Sequence, residues 1–254
     1  MSPSRNPAFI VPDWPAPSNV HAAVTTRLLD GASLHPFDAF NLGARCGDAP
    51  EAVAANRASL AHALDLPSPP RWLRQVHGTG VFDADAPTAR GHEPEADAAI
   101  ARGNGVVLAI LSADCLPILF CTDDGCAVAA AHAGWRGLAG GVIEATIAWL
   151  GVPGTRLLAW LGPAIAAQSY EVGDEVRAAF VETDPQAAHA FSPTRAGHWR
   201  CDLYALARQR LAAAGVRRVH GGGLDTYSDA HFYSFRRERA TGRFASLIWR
   251  AKPS

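Results

Sequence analysis

Residues 105–137 read GVVLAILSADCLPILFCTDDGCAVAAAHAGWRG, and their pattern decides the fold. Residues 106–111, 118–121 and 127–131 are apolar runs of strand length, each bounded by polar or turn residues. Asp123-Asp124-Gly125 makes a tight turn between the second and third runs. The three runs predict core strands. Cys115 and His132 stand at their edges. Reactive side chains at the ends of buried strands are fixed by rigid backbone and reached from a loop.

Upstream, residues 1–17 form an extended, proline-broken N-terminal segment, and residues 20–26 read as a β-branched strand. Asp48-Ala49-Pro50-Glu51 has the form of a capping box with proline in the first turn, and predicts a helix to residue 64. Residues 71–77 predict a short strand, residues 81–82 resume it, and residues 83–97 form an acidic surface excursion.

Downstream, residues 137–150 predict one helix. Gly140 and Gly141 weaken it by about 1 kcal/mol each relative to alanine, which points to close packing at its start. Residues 157–161 are a strand, residues 170–181 mostly helix and residues 186–200 irregular. Asp202 caps a helix that Gly215 stops. Residues 218–220, 232–237 and 244–249 read as closing strands. Strands in series and strands between helices together give an α+β (mixed α/β) fold, with central mixed sheets flanked by helices.

The 254 residues are 48% hydrophobic and 19% charged, an ordinary globular balance for one large domain. A net charge of -1 gives no electrostatic reason to expect a nucleic-acid or membrane partner. The longest apolar run, residues 106–121, contains Asp114 and Pro117 and is too short for a bilayer. Five cysteines, Cys46, Cys115, Cys121, Cys126 and Cys201, with no signal peptide in sight, point to free thiols in the cytoplasm. A monomer is the default expectation. No G-x-G-x-x-G follows a strand and no Walker loop exists, so the common nucleotide cradles are absent.

His77, Cys115 and His132 each close a predicted strand beside a glycine or proline. Imidazole and thiolate are zinc ligands, and three protein ligands leave a fourth position for water, whose pKa falls towards about 7. Spacing alone also accommodates a core cysteine and two backbone-capped histidines. Asp114 is placed to orient a ligand or move a proton, or simply to cap its loop. Arg27, Arg74, Arg136 and Arg236 are phosphate candidates that serve equally well as salt-bridge partners. Trp72 and Trp135 offer flat faces but are as readily core.

Arg74-Gln75-Val76-His77-Gly78, Ala113-Asp114-Cys115-Leu116-Pro117 and His132-Ala133-Gly134-Trp135-Arg136-Gly137 resemble the three signature motifs of the YfiH-type family, also called the laccase-domain or polyphenol oxidase family. Thr25-Thr26-Arg27, Phe40-Asn41-Leu42-Gly43, Gly47-Asp48, Asn56-Arg57, Gly162-Pro163-Ala164-Ile165, Tyr170-Glu171-Val172-Gly173, Ser234-Phe235-Arg236-Arg237, Thr241-Gly242-Arg243 and Leu247-Ile248-Trp249 extend the resemblance over nearly the whole chain. It implies a single-domain cytosolic enzyme spanning residues 1–254. It implies one zinc, with copper as the alternative metal, on His77, Cys115 and His132. It implies phosphorolysis of adenosine, inosine, guanosine and methylthioadenosine, with adenosine deamination as well. On that reading Cys115, His132, His77 and Asp114 carry catalysis, and Asn41, Arg27, Arg74, Gln75 and Arg136 bind nucleoside and phosphate. Asp225 stands where many members have a cysteine, a departure that weakens any role of that cysteine here.

Three other functions compete. A multicopper oxidase needs many histidines, and no H-x-H occurs; Met1 is the sole methionine, so no axial methionine exists either. A metal-free hydrolase would use Cys115 as nucleophile with His132 or His77 as base, on an amide or peptidoglycan-precursor substrate. A structural zinc protein would need a fourth protein ligand.

Overall fold

A computed structural model describes residues 8–87, 89 and 91–251, so the first part of the N-terminal segment lies outside the described residues. In chain order the strands are β1 (Phe9–Ile10), β2 (Val20–Thr25), β3 (Val81–Asp83), β4 (Ala98–Ala101), β5 (Val107–Ser112), β6 (Leu116–Thr122), β7 (Val128–Ala133), β8 (Leu157–Leu161), β9 (Glu171–Gly173), β10 (Phe191–Arg195), β11 (His198–Cys201), β12 (Arg218–Gly221) and β13 (Phe244–Arg250). The helices are α1 (Pro50–Ala63), α2 (Trp135–Gly140), α3 (Val142–Leu150), α4 (Asp174–Val181) and α5 (Leu203–Ala213).

The mixed α/β architecture is layered. A six-stranded sheet, ordered β12-β8-β6-β7-β4-β3, lies at its centre. One face, with Leu116, Ile118 and Phe120 of β6, packs on Leu138, Val142, Val176, Phe180 and Leu206 of helices α2 to α5. The other, with Leu119 and Cys121, packs on Val24, Leu108, Ile110 and Ile248 of a four-stranded sheet, β1-β2-β13-β5. That second sheet turns Val107, Ala109, Ala245 and Leu247 outward onto Leu60 of α1 and onto Phe40 and Leu42. A central sheet covered on both faces is why β6 and β7 are apolar at consecutive positions. A third sheet, β10-β11-β9, adds Val172, Phe191 and Cys201 to the core on the helix side. Among the described residues no helix is long and apolar enough to cross a membrane.

The predicted core strands are present, and the departures have local causes. The 137–150 helix is two helices, because Gly141 adopts a left-handed φ of 102° between them. Gly140 does meet a neighbour: an added Cβ would lie 3.2 Å from Thr79. The capping box does not form. Ala49 is the N-cap, and Asp48 instead accepts hydrogen bonds from Ser33 Oγ and Asn41 Nδ2. Residues 71–77 make only isolated bridges, Arg71 to Leu108 and Arg74 to Glu95. The Gln75 amide replaces a ladder rung by bonding both Leu111 N and O, and residues 76–78 turn their N–H groups to Asp97.

Residues 186–200, expected irregular, contain the β10–β11 hairpin. Its polar sequence hid it. Residues 170–181 open with β9 before α4 begins. Residues 232–237 are not a strand, because the Arg237 guanidinium gathers the carbonyls of Thr226, Tyr227 and Phe232 into a turn. Strand β4, Ala-rich and beside the acidic excursion, was not foreseen.

Phe120 is fully buried between the central sheet and the helices. Phe120→Ala should lower the unfolding free energy by about 3–5 kcal/mol, read as a shift in the urea midpoint at unchanged slope.

Candidate active site

Strands β6 and β7 pair antiparallel, with Leu116 opposite Ala133 and Pro117 opposite His132. This register brings the Cys115 corner beside His132. Cys115 follows Asp114, which holds a φ of 93°, and its carbonyl accepts a hydrogen bond from Ser112 Oγ. The third group, His77, has a φ of 62° and arrives on an irregular segment rather than a strand. Left-handed φ at two non-glycine positions costs on the order of 1 kcal/mol or more each, and such strain gathers at functional sites.

The structure brings the three predicted ligands together. The donor atoms of His77, Cys115 and His132 all lie within 4.8 Å of one another, and Cys115 Sγ is 3.7 Å from His77 Nε2. The two imidazoles meet edge-on, centroids 4.8 Å apart. His77 is exposed, Cys115 half-buried and His132 buried, so the cluster opens outward at one side.

Asp97, just before β4, organises this cluster. Its fully buried carboxylate accepts from the backbone N–H of Val76, His77 and Gly78, at 3.1, 2.9 and 2.6 Å. It also accepts from His132 Nδ1 at 2.8 Å. Three consecutive N–H groups on one carboxylate form an anion nest. The His132 bond fixes that ring's tautomer and leaves Nε2 with its lone pair free for a ligand. Sequence reading missed Asp97; its sole signal was a position at the acidic excursion's edge.

The electrostatics favour a bound cation. Burial pushes the Cys115 thiol up, but the charge and hydrogen bonds of His132 and His77 more than offset it and hold the thiol below its usual range. Burial pushes His132 down, and the Cys115 thiolate and Asp97 more than offset that, so it lies above its usual range. Burial also opposes the charge on Asp97, yet His132 and the backbone donors keep it low. Negative charge on Cys115 and positive charge on His132 thus favour one another. A metal cation would replace the proton on His132. One sulfur and two nitrogens suit zinc or a comparable soft divalent ion, and tetrahedral zinc sets such donors about 3.5 Å apart. The cluster therefore fits a metal with three protein ligands.

Glycine makes the room. A Cβ on Gly134 would lie 2.8 Å from His77 Cδ2 and 2.9 Å from Cys115 Sγ, and one on Gly137 would lie 2.9 Å from the Gly78 carbonyl oxygen. The motif after His132 needs both glycines for this approach.

The cluster lies in the wall of a cavity of about 370 Å³, whose other walls include Gly43, Arg45, Leu73, Leu111, Phe235 and Arg243. Gln75 lines it too, with its amide bound to Leu111. Other predicted site residues lie elsewhere. Asp114 accepts from Thr226 Oγ1 at 2.7 Å and Arg236 N at 2.6 Å, which ties two loops together outside the cavity. Arg27 pairs with Asp38 and Glu238, and Arg74 with Glu95. Arg136 lies over the Trp135 ring. Asn41 is fully buried behind the cavity wall. Asp225 accepts from Ser169, Ser228, Ala166 and Tyr227, a loop clamp rather than a reactive group. Among the described residues the arginines lining the cavity are Arg45 and Arg243, which sequence reading did not single out as such.

The profile of a family described as "Multi-copper polyphenol oxidoreductase laccase" matches residues 21–251. The chain belongs to this laccase-domain family, the YfiH type. A purine nucleoside phosphorylase of Pseudomonas aeruginosa is 54% identical over 244 residues, 95% of this chain and 98% of that protein. The Escherichia coli family member, named purine nucleoside phosphorylase YfiH, is 48% identical over 243 residues, again 95% and 98%. A crystal structure of a Neisseria meningitidis family member superposes with a TM-score of 0.92 at 47% identity, covering 96% of this chain and all of that one.

Asp97→Asn should weaken metal binding about 10–100-fold in a chelator-competition titration, because an amide NH2 would face N–H donors where a carboxylate oxygen now accepts. Gly134→Ala should retain the wild-type circular-dichroism spectrum yet lose bound metal on dialysis, since its Cβ takes ligand space.

Proposed function

We propose that this protein is a zinc-dependent purine nucleoside phosphorylase, acting on adenosine, inosine, guanosine and methylthioadenosine, and that it also deaminates adenosine to inosine. The observation that carries this reading is the His77–Cys115–His132 cluster in the wall of a 370 Å³ cavity, a volume in the range of small-molecule sites. The naming of relatives about half identical over nearly their full length supports it. The five free cysteines fit a reducing cytoplasm.

In phosphorolysis a phosphate oxygen bonds to ribose C1′, the C1′–N9 bond breaks, and its electron pair leaves on the purine, which takes up a proton. In deamination a water oxygen adds at purine C6 and ammonia leaves. A metal at the cluster supplies positive charge and Lewis acidity to such steps. The chain's own residues bind and orient. Leu73, Leu111 and Ala113 give the cavity apolar walls, and Gln75 fixes the Leu111 backbone. Phe235, 44% exposed on the cavity wall, offers a flat face for a purine.

The name of the family profile points to oxidation by several coppers. Among the described residues one His/Cys/His cluster able to hold a metal is present, a donor set for one ion. The lowered Cys115 thiol suits a second reading, a metal-free hydrolase with Cys115 as nucleophile. Metal content separates the two. Elemental mass spectrometry of the purified protein should find near-stoichiometric zinc in wild type and none in Cys115→Ala. Adenosine should give adenine and ribose 1-phosphate with phosphate present, and inosine without it, both lost in the variant. A metal-free protein with a reactive Cys115 and no nucleoside turnover would overturn the proposal.

Phe235→Ala should raise KM for the nucleoside about tenfold at unchanged metal content, the scale of one lost base–aromatic stack; steady-state kinetics with varied nucleoside checks this.

A further inference from the structure

The cavity carries two arginines whose placement the metal cluster does not explain. Arg243 forms no ion pair among the described residues; its Nη1 donates to the carbonyls of Thr241 and Gly242. Arg45 pairs with Glu93, but Glu93 also receives Arg57 at 2.7 Å, so one carboxylate is shared by two guanidinium groups. Arg45, Arg57 and Arg243 meet two carboxylates here, Glu93 and Asp48, which leaves one positive charge in surplus on this side of the cavity.

Arg243 is also held by a built frame. The side chain of Asn41, with 0% exposure, accepts from Gly43 N at 2.9 Å and from Arg243 N at 2.8 Å through Oδ1. Its Nδ2 donates to the Gly43 carbonyl and to Asp48. Leu42 N donates to the Arg243 carbonyl at 3.0 Å. Gly43 has no side chain where the Arg243 stem lies: a Cβ there would be 2.6 Å from Arg243 Cγ. Segments some 200 residues apart are thus joined, and the cavity-lining stretch from Gly43 to Arg45 carries one arginine and seats the other.

We propose that Arg243 and Arg45 form the phosphate subsite of this cavity, binding a phosphate dianion through charge-assisted N–H···O bonds, and that Asn41 is a positioning residue acting through Arg243. This rests on the phosphorolysis reading for its biological sense, while binding itself is measured separately. The dianion is that of inorganic phosphate or of a phosphate monoester.

The test is calorimetric titration of zinc-loaded protein with inorganic phosphate and, separately, with adenosine 5′-monophosphate. Arg243→Gln should raise Kd for inorganic phosphate at least about tenfold and Arg45→Gln several-fold, while Arg243→Lys falls between wild type and Arg243→Gln. Arg195→Gln, on the β10–β11 hairpin, should match wild type. Loss for the monoester alone still supports the subsite and assigns the phosphate to the substrate. Wild-type affinity for both ligands in Arg243→Gln and Arg45→Gln overturns it.

Asn41→Ala should weaken phosphate binding at unchanged zinc content and adenosine affinity. A fall in melting temperature and zinc content with phosphate affinity intact would make Asn41 structural only. Phosphate binding that needs Arg243 in a protein without phosphorolysis would sink the reaction and keep the subsite. Phosphorolysis with unaltered KM for phosphate in both arginine variants would do the reverse.

Discussion

The Asp97 carboxylate accepts four N–H groups, three from the backbone of residues 76–78 and one from the ring of His132, and the site is built around it. A bare charge with no exposure would be costly, and four donors offset that cost. The same four bonds set the position of His77, which no strand carries, and the tautomer of His132, which a strand does. Asp97 reaches this point because β4 pairs with β7, with Ala98 opposite Ala131. The metal cluster thus inherits its precision from the central sheet through one side chain.

Space is the second requirement. At Gly134, Gly137 and Gly43 the nearest atoms belong to His77 and Cys115, to the Gly78 carbonyl and to Arg243. None of these three has the positive φ that usually explains a fixed glycine; each is small because another functional group lies where its Cβ would be. The motifs are therefore records of contact. Each glycine marks a point at which segments distant in sequence close on one another.

Much of this was legible in the chain. Apolar runs bounded by turns located β5, β6, β7, β8 and β13, and three motifs located the residues that cluster, His77, Cys115 and His132. What was hidden depends on tertiary partners. A polar hairpin such as β10–β11 lacks alternation because only its base, where Phe191 pairs with Cys201, enters the core. The break at Gly141 and the failed capping box at Asp48 come from competing local partners, a left-handed glycine in one case and Ser33 with Asn41 in the other. Charge alone could not tell a cavity arginine from a paired one: Arg27 and Arg74 found carboxylates, while Arg243 was placed by an asparagine some 200 residues upstream. Asn41, read from the sequence as a substrate contact, instead bonds the backbone of Gly43 and Arg243 and the side chains of Cys46 and Asp48.

The three residues of the cluster differ in how firmly they are mounted. Cys115 and His132 sit at adjoining strands of a sheet covered on both faces, while exposed His77 rides on a short segment tethered by Asp97. Two jaws are fixed and the third has give. Ions of different radius could then be accommodated by a small swing of one residue, without repacking the core. A metal held there would enter and leave on that same side, and its exchange would be governed by a few backbone hydrogen bonds rather than by the stability of the fold.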